Sequence, residues 1–116
     1  AFVDLTAPGD LIYSTYHRFD NTYNGYTIMS GTSMATAQVS GLAGLVLSLY
    51  PRLTPAEVTS ALLAGADDLG TAGHDVFYGQ GRINAAHTLT LLTETIPTAN
   101  GSSGAGRVFL PAIQSQ

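Results

Sequence analysis

The chain has 116 residues, 45% of them hydrophobic and 10% charged, with a formal net charge of −4. A length of this order supports one small domain, and the only basic residues are 4 scattered arginines, which excludes a phosphate-binding surface and removes nucleic acid from the expected partners. Charge this far below the quarter typical of soluble domains predicts a surface that is partly covered by something else.

The chain opens on Ala1-Phe2-Val3-Asp4-Leu5 with no initiator Met, basic stretch or apolar signal core. It reads as entering midway through a strand, residues 1–7, closed by the turn residues Ala7-Pro8-Gly9. Two further β-type segments, 11–15 and 26–29, flank a polar, aromatic-rich stretch ending in Asn24-Gly25, which predicts a long hairpin exposed at its tip.

From 33 to 50 apolar residues surround the whole helical circumference without one charge, until Pro51 ends the run. The expectation is a helix buried on all sides. Gly41 and Gly44 weaken it by up to about 1 kcal/mol each relative to Ala, a cost expected where another backbone packs closely. Thr36, Gln38, Ser40, Ser48 and the two glycines make the run too polar for a bilayer, and Pro51-Arg52 leads straight into a capped soluble helix, so no membrane association is expected.

That next helix has a clear start: Thr54 as N-cap, Pro55 at the first helical position and Glu57 placed to close a capping box. It runs through Val58, Ala61 and Leu62 and stops near Gly65. After a turn-rich stretch, Asn84 caps a third amphipathic helix carrying Ala85, Ala86, Leu89 and Leu92. Residues 93–107 have the Thr, Asn, Gly and Ser composition of a linker, and 108–116 form a short apolar tail containing Pro111, an edge strand or the start of a further module. Residues 1–92 are thus the predicted domain.

The chemistry centres on Ser30-Gly31-Thr32-Ser33-Met34-Ala35, which joins a short strand to the apolar helix through a glycine. A serine hydroxyl is a weak nucleophile until a positioned base removes its proton and donors await the developing oxyanion. A helix N-terminus supplies the donors, because its first backbone N–H groups are unpaired and its dipole is positive there. The same placement also suits Ser33 or Thr32 as a plain helix N-cap, and local physics does not separate the two readings.

These six residues, with Val39 and Gly41 in the same helix, resemble the nucleophile segment of the subtilisin-like (subtilase) family. The resemblance extends to Val3-Asp4-Leu5-Thr6-Ala7-Pro8-Gly9 and Ser14-Thr15 upstream. Downstream it includes Tyr50-Pro51, Leu53-Thr54-Pro55, Val58, Leu62-Leu63 and Tyr78-Gly79-Gln80-Gly81-Arg82-Ile83-Asn84-Ala85, so it covers about 1–92. It implies the C-terminal part of an α/β subtilisin-like domain, with strands of a mainly parallel sheet. It also implies a secreted or extracellular serine endopeptidase of the Ser-His-Asp type that acts on polypeptides through an acyl-enzyme on Ser33.

On that resemblance the Ser33 backbone N–H is an oxyanion donor, Thr32 and Gly31 support the hole, and Met29 and Ser30 border the leaving-group side. The family's aspartate, histidine and side-chain oxyanion asparagine precede the serine by more residues than this sequence holds, so an upstream part of the domain or a partner chain is the expected partner. The isolated chain is expected to be inactive. The alternative is a non-catalytic structural half that needs such a chain. Ala37 and Gln38 replace the family's usual Pro-His pair, which bears on packing at the helix start.

His17, His74 and His87 read as solvated or packing histidines, and none is assigned to a triad. No cofactor is implied, and the absence of cysteine excludes thiolate metal sites while leaving the compartment undecided. Calcium is the one ion left open, at Asp67, Asp68 and Asp75. These lack the regular ligand spacing of a calcium loop, so a solvated loop without metal is the expectation.

Overall fold

The computed structural model of the protein describes residues 3–17 and 25–95. Strands β1 (Ile12–Thr15) and β2 (Tyr26–Met29) form an antiparallel hairpin in the register Ile12↔Met29, Tyr13↔Ile28, Ser14↔Thr27 and Thr15↔Tyr26. Alternation along each strand separates two faces. Ile12, Ser14, Thr27 and Met29 share one. On the other, the diagonal neighbours Tyr13 and Tyr26 stack with ring centroids 5.5 Å apart.

The sheet among the described residues is this two-stranded antiparallel one. Of the strand expected at 1–7, residues 1 and 2 lie outside the described residues, and the rest forms an isolated parallel bridge between Thr6 and Arg82. Thr6 N–H donates to the Gly81 carbonyl at 2.9 Å, and Ile83 N–H donates to that of Thr6 at 2.9 Å. Gln80 N–H also donates to the Asp4 carbonyl at 2.9 Å, but a β-type sequence becomes a strand only with a strand partner along its length, and here the partner is a loop.

Three helices follow: α1 (Thr32–Leu49), α2 (Pro55–Ala64) and α3 (Ala85–Thr95). The capping box at α2 forms as expected. The Thr54 hydroxyl accepts from Glu57 N–H at 3.3 Å, and the Glu57 carboxylate accepts from Thr54 N–H at 2.8 Å. Glu57's carboxyl is thereby held below the ordinary carboxylate range, chiefly by the Thr54 backbone N–H. Gly65 closes the helix, its N–H donating to the Ala61 carbonyl at 3.0 Å. The Asn84 side chain accepts from His87 N–H at 3.0 Å and so caps α3.

The core lies between α1, α2 and α3 and consists of Leu42, Val46, Val58, Ala61, Leu62 and Leu92. Thr88 is fully buried beside it, its hydroxyl satisfied by the Asn84 carbonyl at 2.9 Å. Burying these side chains contributes roughly 1.5–3 kcal/mol for each large one.

α1 is not buried on all sides. Leu42 and Val46, four residues apart, form its one buried stripe, whereas Leu45, Leu47 and Leu49 are 43%, 40% and 55% exposed. A Cβ added at Gly41 or Gly44 meets nothing within 4 Å, so neither faces a close neighbour. The reason is geometric: among the described residues α1 packs chiefly against α2, which covers one stripe of it. α1 also has the length and the mean hydropathy, 1.3, of a membrane-crossing helix, although its Leu42 and Val46 stripe walls the core.

α3 runs through Thr95, past the boundary expected at 92. Its last turn is polar in composition yet helical, because the hydroxyls of Thr93 and Thr95 bond back to the carbonyls of Thr90 and Leu91 at 2.8 and 2.6 Å. The rest of the expected linker, from 96 to 107, and the tail at 108–116 lie outside the described residues.

Candidate active site

Ser33 lies in the first turn of α1 and is exposed. Met29 ends β2, Ser30 and Gly31 make the turn, and Thr32 is already helical. Gly31 occupies the N-cap at φ 156, ψ 162, a region essentially reserved for glycine, and no side chain caps the helix. The capping role open to Ser33 and Thr32 is therefore taken by neither.

The Gly31 carbonyl accepts from Met34 N–H at 3.1 Å and from Ala35 N–H at 3.4 Å. The N–H groups of Thr32 and Ser33 come before these, at the positive, open end of an 18-residue helix. Such an end favours negative charge on a group bound beside Ser33.

The turn is anchored from the segment before β1. Gly31 N–H donates to the Gly9 carbonyl at 2.7 Å, and the Gln38 side-chain amide donates to the Pro8 carbonyl at 2.7 Å. Gln38, one of the two departures from the resemblance, thus holds the helix start to the 8–11 turn. The Ser30 hydroxyl donates to Asp10 Oδ1 at 2.6 Å and accepts from Leu11 N–H at 2.8 Å.

The hairpin supplies the opposite wall. Ile12, Ser14, Thr27 and Met29 line a cleft of about 340 Å³ together with Ser33, Met34, Ala37 and Gln38 of α1. Met29 and Ser33 therefore line the same cleft. Gly31 and Thr32 are exposed beside them. The Ser30 hydroxyl is committed to Asp10 and Leu11, and Ser30 is not among the residues that line the cleft.

Sequence reasoning missed Ile12, Ser14, Thr15, Thr27, Met34, Ala37 and Gln38 as cleft walls, and Asp10 as an anchor. Period-two alternation back from Met29 selects Thr27, and the hairpin register then selects Ile12 and Ser14. The pairing of Asp10 with Ser30, 20 residues apart, leaves no local signal.

The three aspartates singled out for calcium organise the loop from 66 to 84. Asp75 accepts the backbone N–H groups of Thr71, Phe77 and Tyr78 at 3.1, 2.8 and 2.7 Å. The Tyr78 N–H, above all, holds its carboxyl below the ordinary range. Asp67 accepts from the Asn84 side chain at 2.9 Å and pairs with Arg82 at 3.1 Å, and these lower its pKa in that order. Asp68 accepts from Gly73 N–H at 2.8 Å. Among the described residues no group of three or more His, Asp or Glu side chains is arranged to hold a metal ion.

Residues 1–81 match the sequence profile of the Subtilase family. The chain is 42% identical to Subtilisin DY of Bacillus licheniformis over 84 residues, 72% of this chain and 28% of that protein. It is 34% identical to the Extracellular serine protease of Serratia marcescens over 97 residues, 69% of this chain and 9% of that protein. The fold matches, with a TM-score of 0.57, the crystal structure of Apa1, a psychrophilic subtilisin-like protease from the Antarctic psychrotroph Pseudoalteromonas sp. AS-11. That chain is 46% identical, and the match covers 61% of this chain and 16% of it. The chain thus spans less than a third of the length of these relatives. With the hairpin, the Ser33 turn, α1 and α2 all inside the matched stretch, the chain belongs to the Subtilase family.

Proposed function

We propose that this chain is the nucleophile-bearing part of a serine endopeptidase of the Ser-His-Asp type that acts on polypeptides, with Ser33 as the acylated residue. The observation that carries the reading is an exposed Ser33 at the open N-terminus of α1, on a cleft whose other wall includes Met29. An imidazole from an upstream segment, held by an aspartate, takes the Ser33 hydroxyl proton as Oγ bonds to the substrate carbonyl carbon. The oxygen left negative is met by the Ser33 N–H, with the Gly31-Thr32 turn shaping the hole. Collapse of the tetrahedral intermediate expels the amine, which leaves with the imidazolium proton, and water then deacylates Ser33.

Met29 borders the side on which the amine leaves. The Serratia marcescens relative is named as extracellular, which supports an extracellular site of action for this protein. The reading needs no cofactor.

The test is made on the full-length protein. A fluorophosphonate should label Ser33, and Ser33→Ala should lower peptide hydrolysis more than about a thousandfold. The chain of residues 1–116 alone should hydrolyse no peptide. Hydrolysis undiminished in Ser33→Ala would favour the alternative of a non-catalytic structural half and remove the nucleophile assignment.

A further inference from the structure

We propose that Asp10 and Ser30 form a latch that positions the Ser33 turn, so that the serine ahead of α1 holds the nucleophile and not the substrate. The proposal rests on the reading of Ser33 as nucleophile and adds two positioning residues to it. Three observations carry it.

The Ser30 hydroxyl is used in both directions, donating to Asp10 Oδ1 at 2.6 Å and accepting from Leu11 N–H at 2.8 Å. A hydroxyl-to-carboxylate bond of this length is charge-assisted and short. Leu11, next, is the one residue other than glycine among the described residues with a positive φ, 49°. A branched side chain occupies that left-handed region only where its surroundings hold it there. Its side chain is 72% exposed, so packing does not hold it, and the described contact that remains is the bond from its N–H to Ser30.

The third observation is the closeness of the two turns. A Cβ at Gly9 would lie 2.9 Å from the Gly31 carbonyl oxygen and 3.3 Å from the Ala35 Cβ, so the segment before β1 and the nucleophile turn are already in contact. A shift in one moves the other. Acyl transfer is sensitive to such shifts, because the reacting atoms must be held in a near-attack geometry. Loss of the latch should therefore slow acylation without weakening substrate binding.

The experiment compares Ser30→Ala and Asp10→Ala with Ser30→Thr and Asp10→Asn in the full-length protein, with kcat normalised to the fraction titrated by a fluorophosphonate. The alanine variants should lose roughly tenfold in kcat with KM within about twofold of the parent, and the conservative variants, which keep the hydroxyl and the acceptor, should stay within about threefold. The double alanine variant should lose no more than Ser30→Ala alone, since removing the hydroxyl already breaks the bond to Asp10. In a Leu11→Gly background, where the positive φ is free of strain, Ser30→Ala should cost no more than about threefold.

An unchanged kcat in the alanine variants overturns the latch. So does a raised KM at unchanged kcat, which returns Ser30 to the substrate side, and so do equal losses in the alanine and conservative variants. A parent protein in which fluorophosphonate leaves Ser33 unlabelled removes the nucleophile reading and the latch with it. A labelled parent with unaffected alanine variants removes the latch alone.

Discussion

The two halves of this chain treat their apolar residues differently. The pair α2 and α3 buries its inward face: Val58, Ala61, Leu62, Thr88 and Leu92 are buried and Gly65 is pressed against Thr88, while Val76, Phe77 and Tyr78 of the loop between the two helices are exposed. In the hairpin and α1, by contrast, Leu11, Tyr13, Ile28, Leu45 and Leu49 are all exposed. The α2 and α3 pair carries no proposed catalytic group. Most of the exposed large apolar side chains lie instead on the hairpin and α1, the elements that bear Ser33. Scaffold and site are thus separable in this chain.

The sharpest way to break this contrast is at Gly65. A Cβ there would lie 2.6 Å from the Thr88 Cα, and since the obstacle is backbone, α2 and α3 would have to separate. Gly65→Ala should destabilise the protein by about 3 kcal/mol or more, read as a lowered midpoint of urea unfolding. A loss under about 1 kcal/mol would show that the α2 to α3 crossing yields, and that the packed half is no more rigid than the other.

A smaller effect separates the halves by pH. Asp67 and Asp75 have pKa values below the ordinary carboxylate range of about 4, the first through Asn84 and Arg82, the second through the Tyr78 N–H and its neighbours. The folded form therefore binds fewer protons than the unfolded one. Their contribution to stability is complete above the ordinary value and is lost as the pH falls through it toward the lower folded values. Amide protection at Phe77 and Tyr78 should fall as the medium is acidified below about pH 4. Asp75→Ala should remove that dependence by leaving the two N–H groups unpaired at every pH. α1 has no ionisable side chain between Thr32 and Leu49, so its amides should not respond in this way. Equal acid sensitivity in both segments would show that they open as one unit.

What the sequence disclosed was local. Thr54-Pro55 with Glu57 predicted the start of α2 because a capping box is closed within four residues, and Asn24-Gly25 between alternating segments predicted the hairpin. Ser33 stood out through its motif and its place ahead of a helix, and Met29 through its nearness to that serine. What stayed hidden was pairing at a distance. An all-round apolar helix reveals that partners are wanted and says nothing of which are present, so α1 was expected to be buried where it is exposed. Residues 1–7 have strand composition, yet the partner of Asp4 and Thr6 is a loop, residues 80–83, far along the chain. Asp10 has no periodicity or motif to tie it to Ser30. The end of α3 was obscured differently, since threonines read as linker by composition bond back to their own helix.

Gly41 and Gly44 give the finest measure of the difference between the halves, because there the sign of the effect is at stake. In this chain a Cβ at either position meets nothing within 4 Å, while both residues sit in mid-helix, where glycine is less favourable than alanine by roughly 0.8–1 kcal/mol. Gly41→Ala and Gly44→Ala should therefore each stabilise the chain of residues 1–116 by up to about 1 kcal/mol in urea unfolding. If the outer face of α1 is covered in the full-length protein, the added methyl meets a neighbour there and the gain disappears or becomes a loss of about 1–3 kcal/mol. Helix propensity is the same in the two proteins and cancels, so the change in sign reports what lies against α1. The same gain in both would mean that the apolar face around Leu45 and Leu49 stays open in the complete protein, and that the half bearing Ser33 is no more dependent on a partner than α2 and α3 are.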